Sequence, residues 1–290
     1  GQIHGGIAQG LGLALMEEYL PGRSENLHDY LIPTCGDMPE IVSILVVTAI
    51  IAVAITRART LMVRAVTEGQ AARELSRFFS PEIADRITAS EEAVAAGQGQ
   101  ARSGAILFCD IRGFTGFAQT HMPNEVIAML ADYQRQMVPI LQKHGGTIDK
   151  FMGDGIMVTF GAALATDSYA ADALRAVDEV MQAAEFWNAE RVANGEPELR
   201  VGAAVASGRI IFGAVGDESR LEYTVIGEAV NLAAKLEKAT KDQQVRALTD
   251  RATWDTAIEQ GFEADRERER RTAQAVEGLT EPVDLVVLAE

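Results

Sequence analysis

The chain has 290 residues, 48% of them hydrophobic, which is sufficient for a buried core, so we expect a globular protein of one or two domains. Its formal net charge of -16 argues against a nucleic-acid-binding protein, because such proteins neutralise phosphates with a basic surface. The two cysteines, Cys35 and Cys109, follow no metal-ligand or disulfide spacing, and we interpret both as reduced thiols in a cytosolic setting.

The first segment, residues 1–40, is rich in glycine and has no sustained helical or strand periodicity, so we do not expect it to fold alone. Its sequences GQIHGGIAQGLG and LHDYLIPTCGDMPE resemble a short stretch of the molybdenum-binding subunit of xanthine dehydrogenases and aldehyde oxidases. The rest of that large subunit has no counterpart here. We therefore interpret the segment as a fusion or cropping remnant without an enzymatic role.

The second segment, residues 41–56, reads IVSILVVTAIIAVAIT and contains no charge. As a helix it would be roughly 24 Å long, slightly short of the ~30 Å hydrocarbon core of a bilayer. Arg57, Arg59 and Arg64 follow directly, which is typical of a cytoplasmic flank. The sequence predicts a single membrane helix that anchors a cytoplasmic catalytic domain to the cell membrane. A buried, β-branched core segment is the alternative.

The third segment, residues 57–100, has mixed charge, and Ser80 followed by Pro81 is typical of a helix start. We predict a helical linker between the membrane segment and the catalytic domain. Val66 and Leu75 would lie on a dimerising seam if the linker were a coiled coil, but the heptad is irregular. The low-complexity run AVAAGQGQARSG predicts a flexible boundary near residue 100.

The fourth segment, residues 101–290, has the pattern of a catalytic α/β (α+β) domain. From Gly104 the order strand, helix, hairpin, helix, strand predicts a ferredoxin-like βαββαβ unit. AILFCDI is the first strand, residues 123–143 the first helix, and GTIDKFMGDGIMVTFG a hairpin that turns at residues 153–155. Residues 168–188 form the second helix, RVGAAVASGRIIFGAVG a strand pair, and residues 227–239 a further helix.

This topology brings two distant aspartates together. The first strand lies antiparallel to the hairpin strand beside it, so its end, with Asp110, approaches the turn that carries Asp154. Such a carboxylate pair attracts a divalent metal, because oxygen ligands suit Mg²⁺ or Mn²⁺. Either residue alone is also typical of a strand end or a turn.

The sequence IRGFTGF after Asp110 predicts a phosphate-binding loop. Gly113 allows the backbone to approach a ligand, and the N–H groups near Phe114 and Thr115 are expected to contact phosphate oxygens. A metal pair beside a phosphate site is the arrangement for displacement at phosphorus. We therefore expect a nucleoside triphosphate as the substrate.

Three segments, FCDIRGFT, DKFMGDG and EYTVIGEAVNLAAKLE, resemble in order and spacing the signature motifs of class III adenylate and guanylate cyclases. The resemblance covers about residues 104–290. It implies that Asp110 and Asp154 bind two Mg²⁺ or Mn²⁺ ions and that the carbonyl of Ile111 adds a ligand. It also implies a two-metal reaction at phosphorus.

The resemblance assigns base recognition to Lys150, four residues before Asp154, and to Thr224, seven residues before Asn231. An ammonium only donates hydrogen bonds, so it suits N1 of adenine and not the N1–H of guanine. A threonine hydroxyl can accept from the adenine amino group. The two positions together predict ATP as the substrate and 3′,5′-cyclic AMP as the product.

Asn231 matches the family's asparagine, which orients the ribose or the reacting phosphate. Lys235 departs from the family pattern, which has arginine four residues after the asparagine to stabilise charge on the α-phosphate. Lysine keeps the charge but lacks the planar bidentate fork, so we expect slower catalysis. The resemblance also implies a head-to-tail homodimer with each site shared between the two protomers.

Three alternatives remain at this point. One is a catalytically weak or inactive homologue that acts as a nucleotide-binding regulatory module, and the second is a guanylate cyclase. The third, a diguanylate cyclase, is disfavoured because the hairpin reads GDG and lacks the extended GGDEF sequence.

Overall fold

A computed structural model describes residues 48–49, 51–59, 97, 99–217 and 220–290. The chain divides into two units, Gly1–Leu75 and Ser76–Glu290. In the first, residues 48–49 and 51–59 are helical. Within the described ranges, no helix is long and apolar enough to cross a bilayer. The predicted segment 1–40 lies outside these ranges, as do most of the predicted linker 57–100 and part of the predicted membrane segment 41–56, so the predictions made for them remain predictions.

The second unit is built on an eight-stranded sheet. Seven of its strands follow the order β2-β3-β1-β4-β6-β8-β7, and β5 pairs with β4. The strands are β1 (Gly99–Arg112), β2 (Thr147–Met152), β3 (Gly155–Phe160), β4 (Arg200–Asp217), β5 (Arg220–Ile226), β6 (Ala247–Asp250), β7 (Arg270–Gln274) and β8 (Val283–Ala289). The first four strands lie in the order β2-β3-β1-β4 and are all antiparallel. This is the predicted ferredoxin-like arrangement.

Five helices connect the strands and cover both faces of the sheet. They are α1 (Phe114–Thr120), α2 (Pro123–Lys143), α3 (Tyr169–Ala193), α4 (Glu228–Asp242) and α5 (Arg251–Glu259). Side chains of β1 alternate between two cores, since Leu107 and Cys109 pack with α2 and α3, whereas Ile106 and Phe108 pack with α4. Asp110 continues this alternation and therefore lies on the α4 face.

Helix α2 has the predicted bounds because its start is well specified. Pro123 occupies its first turn, and the Glu125 side chain accepts a hydrogen bond from the Met122 backbone N–H at 2.9 Å. Its buried side chains recur every four residues, at Met129, Tyr133, Met137 and Leu141. This helix fixes the layer beneath the first strand.

The predicted flexibility near residue 100 is wrong for residues 99–104, because β1 begins at Gly99 and pairs with β4 along its whole length. The glycines there serve close packing. A Cβ on Gly99 would lie 2.9 Å from Ile211, and one on Gly104 would lie 2.8 Å from the carbonyl oxygen of Phe160. The end of the low-complexity run, residues 99–104, thus forms the first part of β1.

The strand pair predicted for RVGAAVASGRIIFGAVG is also wrong. These residues belong to the single strand β4, whose N-terminal part pairs with β6 and whose C-terminal part pairs with β5. The glycines within it do not make a turn, and Gly208 simply continues the register opposite Gly104. The result is a central strand long enough to join both halves of the sheet.

Candidate active site

The turn between β2 and β3 lies against the C-terminal end of β1, as predicted. Gly153 has φ +67 and begins the turn, and the next residue, Asp154, accepts a hydrogen bond from the backbone N–H of Ile111. The carboxyl group of Asp110 lies close enough to that of Asp154 to affect its pKa. Burial raises the pKa of Asp154 to about 7, and the negative charge of Asp110 adds to the shift. Asp154 therefore holds its proton more tightly than an exposed aspartate does.

A divalent cation fits this donor set. Two carboxylates and the neighbouring main-chain carbonyl of Ile111 are hard oxygen ligands, and a cation would neutralise the negative charge of Asp110 and Asp154. No cluster of three or more His, Cys, Asp or Glu side chains suited to a metal occurs in the described part of the chain. Ions held by this pair would need further oxygens, and Mg²⁺ commonly takes these from water and substrate phosphates.

The predicted phosphate-binding loop is a helix. Gly113 has φ +77 and caps α1, which begins at Phe114 and includes Thr115. The backbone N–H of Phe117 donates to the Gly113 carbonyl at 3.1 Å. Helix geometry leaves the N–H groups of this first turn without intrahelical partners. The residues that the sequence predicted to form a loop are thus the first turn of a helix.

The two predicted base-recognising residues lie together and share a third residue, Asp149. Thr224 on β5 donates from Oγ1 to Oδ2 of Asp149 at 2.9 Å, and Nζ of Lys150 lies 3.6 Å from the same oxygen. Lys150 also forms an ion pair with Glu222. Hydrogen bonds and the negative charges of Asp149 and Glu222 raise the pKa of Lys150 despite the opposing effect of burial, so the ammonium stays charged.

Asn231 and Lys235 line a pocket of about 1000 Å³ between α4, the end of β5 and the loop before β8. Asn231 is exposed and Lys235 is half-buried, one turn apart on α4. The ammonium of Lys235 donates a hydrogen bond to the carbonyl oxygen of Gly278. A volume of this size is sufficient for a nucleotide.

The ten predicted site residues thus fall into three groups within one chain. These are the carboxylate pair with Ile111 and α1, the Lys150–Thr224 pair, and the Asn231–Lys235 pocket. Among the residues that the structure describes, no hydrogen bond or ion pair joins one group to another.

Three further residues at the site escaped prediction from the sequence. Asp149 and Glu222 bind Lys150, and Gly278 binds Lys235. A signal for Asp149 existed, since a carboxylate directly before the lysine is conspicuous in an apolar strand. Gly278 lies 43 residues from Lys235 along the chain, and no local pattern pointed to that contact.

Comparison with protein families gives two matches. Residues 98–281 match the adenylate and guanylate cyclase catalytic domain, as the three motifs predicted. Residues 1–39 match the molybdopterin cofactor-binding domain, which confirms the resemblance noted for the first segment. The second match covers a small part of the chain and lies outside the described ranges.

Curated relatives include an adenylate cyclase from Anabaena cylindrica, 38% identical over 154 residues, which are 52% of this chain and 30% of that protein. Adenylate cyclase 1 from Rhizobium meliloti (strain 1021) is 34% identical over 142 residues, 49% of this chain and 21% of that protein. The matched part therefore spans less than a third of either relative.

Two solved structures, one of a guanylyl cyclase and one of an adenylyl cyclase, have the same fold as this chain. The guanylyl cyclase Cya2 superposes with a TM-score of 0.57 at 30% identity, over 65% of this chain and 92% of that one. The adenylyl cyclase CyaB from P. aeruginosa superposes with a TM-score of 0.58 at 28% identity, over 67% and 96%. Overall similarity therefore does not choose between adenine and guanine.

Proposed function

The chain belongs to the family of adenylate and guanylate cyclase catalytic domains, and from this premise we propose that it converts ATP into 3′,5′-cyclic AMP and pyrophosphate. The observation that carries the choice of base is the Lys150–Thr224 pair. Its charged ammonium donates to N1 of adenine and would clash with the N1–H of guanine. Thr224 stands beside it on the neighbouring strand pair and completes the recognition of adenine.

In the proposed reaction the ribose 3′-oxygen attacks the α-phosphorus and pyrophosphate leaves. Asp110 and Asp154, with the Ile111 carbonyl, would hold two Mg²⁺ or Mn²⁺ ions, which activate the attacking oxygen and neutralise the leaving group. The N–H groups near Gly113, Phe114 and Thr115 would bind phosphate oxygens. Positioning and electrostatic stabilisation supply most of the acceleration in such a transfer.

We also propose that the working unit is a homodimer with two composite sites. One protomer contributes the metal-binding carboxylates, and its partner contributes the base pair and the Asn231–Lys235 pocket. Membership of the cyclase family supports this arrangement, because the motif resemblance implies a head-to-tail dimer with shared sites. Asn231 orients the ribose or the reacting phosphate, and Lys235 stabilises charge on the α-phosphate.

A direct test is to incubate the full chain with ATP or GTP, in Mg²⁺ or Mn²⁺, and to quantify both cyclic nucleotides. We expect cyclic AMP to predominate, and Asp110→Asn to reduce its formation at least a hundredfold. Asp167→Asn, which alters an exposed carboxylate after β3, is the matched control and should leave the rate unchanged. Predominant cyclic GMP would contradict the assigned substrate.

The second candidate function is a nucleotide-binding regulatory module that does not catalyse the reaction. The lysine at position 235, where the family has arginine, favours it. Its single ammonium is already bonded to Gly278, so less of its charge is available to a phosphate than an arginine fork would offer. Nucleotide binding without formation of either cyclic product, in Mg²⁺ and in Mn²⁺, would support this candidate.

A further inference from the structure

Asp149 is a nearly buried carboxylate that contacts both base-recognising residues. Its side chain is only 2% exposed, and it accepts the Thr224 hydroxyl at 2.9 Å. The β2–β3 register shifts between Ile148 and Lys150, so a β-bulge at Asp149 interrupts the alternation of side chains. Burial raises the pKa of this carboxyl group, and the bonds from Thr224 and Lys150 oppose the shift.

The bond to Asp149 decides what Thr224 can offer a base. A threonine hydroxyl has one proton and two lone pairs, and an ionised carboxylate can only accept. While the proton points to Asp149, the Thr224 oxygen has only lone pairs left to present. It can then accept from the 6-amino group of adenine, but it cannot donate to the 6-carbonyl oxygen of guanine.

We propose that Asp149 is a positioning residue that sets nucleotide specificity, because it holds the Thr224 hydroxyl as a hydrogen-bond acceptor and so favours ATP over GTP. This inference rests on the proposed function, in which Thr224 faces the base. Asp149 acts through Thr224 and does not itself touch the nucleotide. The selectivity of the site for ATP is thus set by a residue that contacts Thr224 and not the base.

The test compares Asp149→Asn with the wild type and repeats the comparison in a Thr224→Val background. The asparagine amide is nearly isosteric and can donate to the Thr224 oxygen, which frees the hydroxyl proton for the base. We expect the ratio of kcat/KM for ATP to that for GTP to fall at least tenfold. In the Thr224→Val background, where no hydroxyl remains, the same substitution should leave the ratio unchanged.

Two results would overturn the inference. An equal loss for ATP and GTP would mean that Asp149 serves only the fold, and a shift that persists without the Thr224 hydroxyl would mean that it acts through Lys150. If Asp149→Asn does not fold, Thr224→Val alone is expected to reduce the preference for ATP over GTP. An unchanged preference in Thr224→Val would also overturn the inference.

Measurements of nucleotide binding distinguish a failure of this inference from a failure of the proposed reaction. Calorimetric Kd values for the α,β-methylene analogues of ATP and GTP report base recognition without turnover. A wild-type protein that binds the ATP analogue more tightly but makes no cyclic AMP contradicts the proposed reaction only. A wild-type protein that binds both analogues equally contradicts the role of Asp149.

Discussion

The ammonium of Lys235 donates a hydrogen bond to the carbonyl oxygen of Gly278, which joins α4 to the loop between β7 and β8. The contact is close, since a Cβ on Gly278 would lie 3.2 Å from Cε of Lys235. Lys235 and the next loop residue, Leu279, line the same pocket. The loop therefore sets the position of the Lys235 ammonium, which we propose stabilises charge on the α-phosphate.

We expect Gly278→Ala to lower kcat for cyclic AMP formation by about tenfold, because the new methyl group displaces the Lys235 side chain. Gly278 has φ +82, so alanine also strains the backbone by about 1 kcal/mol. Gly261→Ala is the matched control, since Gly261 has φ +84 and nothing within 4 Å of a new Cβ. Equal losses of kcat in the two variants would assign the effect to strain and not to Lys235.

Lys235→Arg should raise kcat severalfold. A guanidinium has five N–H donors in a planar fork, so it can keep the Gly278 carbonyl and still bind two phosphate oxygens. Lys238→Arg makes the same change on an exposed position of α4 and should have no effect. Initial rates at saturating ATP measure both variants. An unchanged or lower kcat for Lys235→Arg would count against its assigned role.

The fold was largely predictable because its elements carry strong local signals. Alternating and apolar runs predicted β1 to β3, and the hairpin glycine predicted the turn at Asp154. The errors have one cause. Glycines at Gly99 and Gly208 were interpreted as breaks in structure, whereas in the sheet they serve close packing or simply continue a strand. Sequence alone does not distinguish a glycine that bends the chain from one that makes room for a neighbour.

The site was predictable where motif and topology agreed. The proximity of Asp110 to Asp154 follows from strand order, and the charge of Asp110 contributes to the raised pKa of Asp154. Asp149 was visible as a carboxylate directly before the lysine, but its contact with Thr224 was not predictable, because strict alternation would place Asp149 on the face opposite Lys150, and only the bulge lets both approach Thr224. Its role depends on a tertiary hydrogen bond across 75 residues.

Composite sites predict complementation between inactive variants. We expect Asp110→Ala and Asn231→Ala each to be inactive as homodimers, and an equimolar mixture to regain up to about a quarter of wild-type activity if protomers exchange at random. The matched control mixes Asp110→Ala with Asp154→Ala, which disable the same half-site and should not complement. Size-exclusion chromatography establishes that the mixtures exchange. Exchange without recovery would contradict the shared site.

Tyr133 on α2 is fully buried. Its hydroxyl has no hydrogen-bond partner among the described residues, and an unsatisfied buried polar group costs about 1–3 kcal/mol. Tyr133→Phe should therefore raise the free energy of unfolding by about 1 kcal/mol, because it removes the hydroxyl and keeps the ring packed at 5.6 Å from Trp187. Urea denaturation measures the change.

Tyr133→Ala, by contrast, should lower stability by about 3–5 kcal/mol through the cavity it leaves. A loss of more than 1 kcal/mol in Tyr133→Phe would show that a buried water or ion satisfies the hydroxyl.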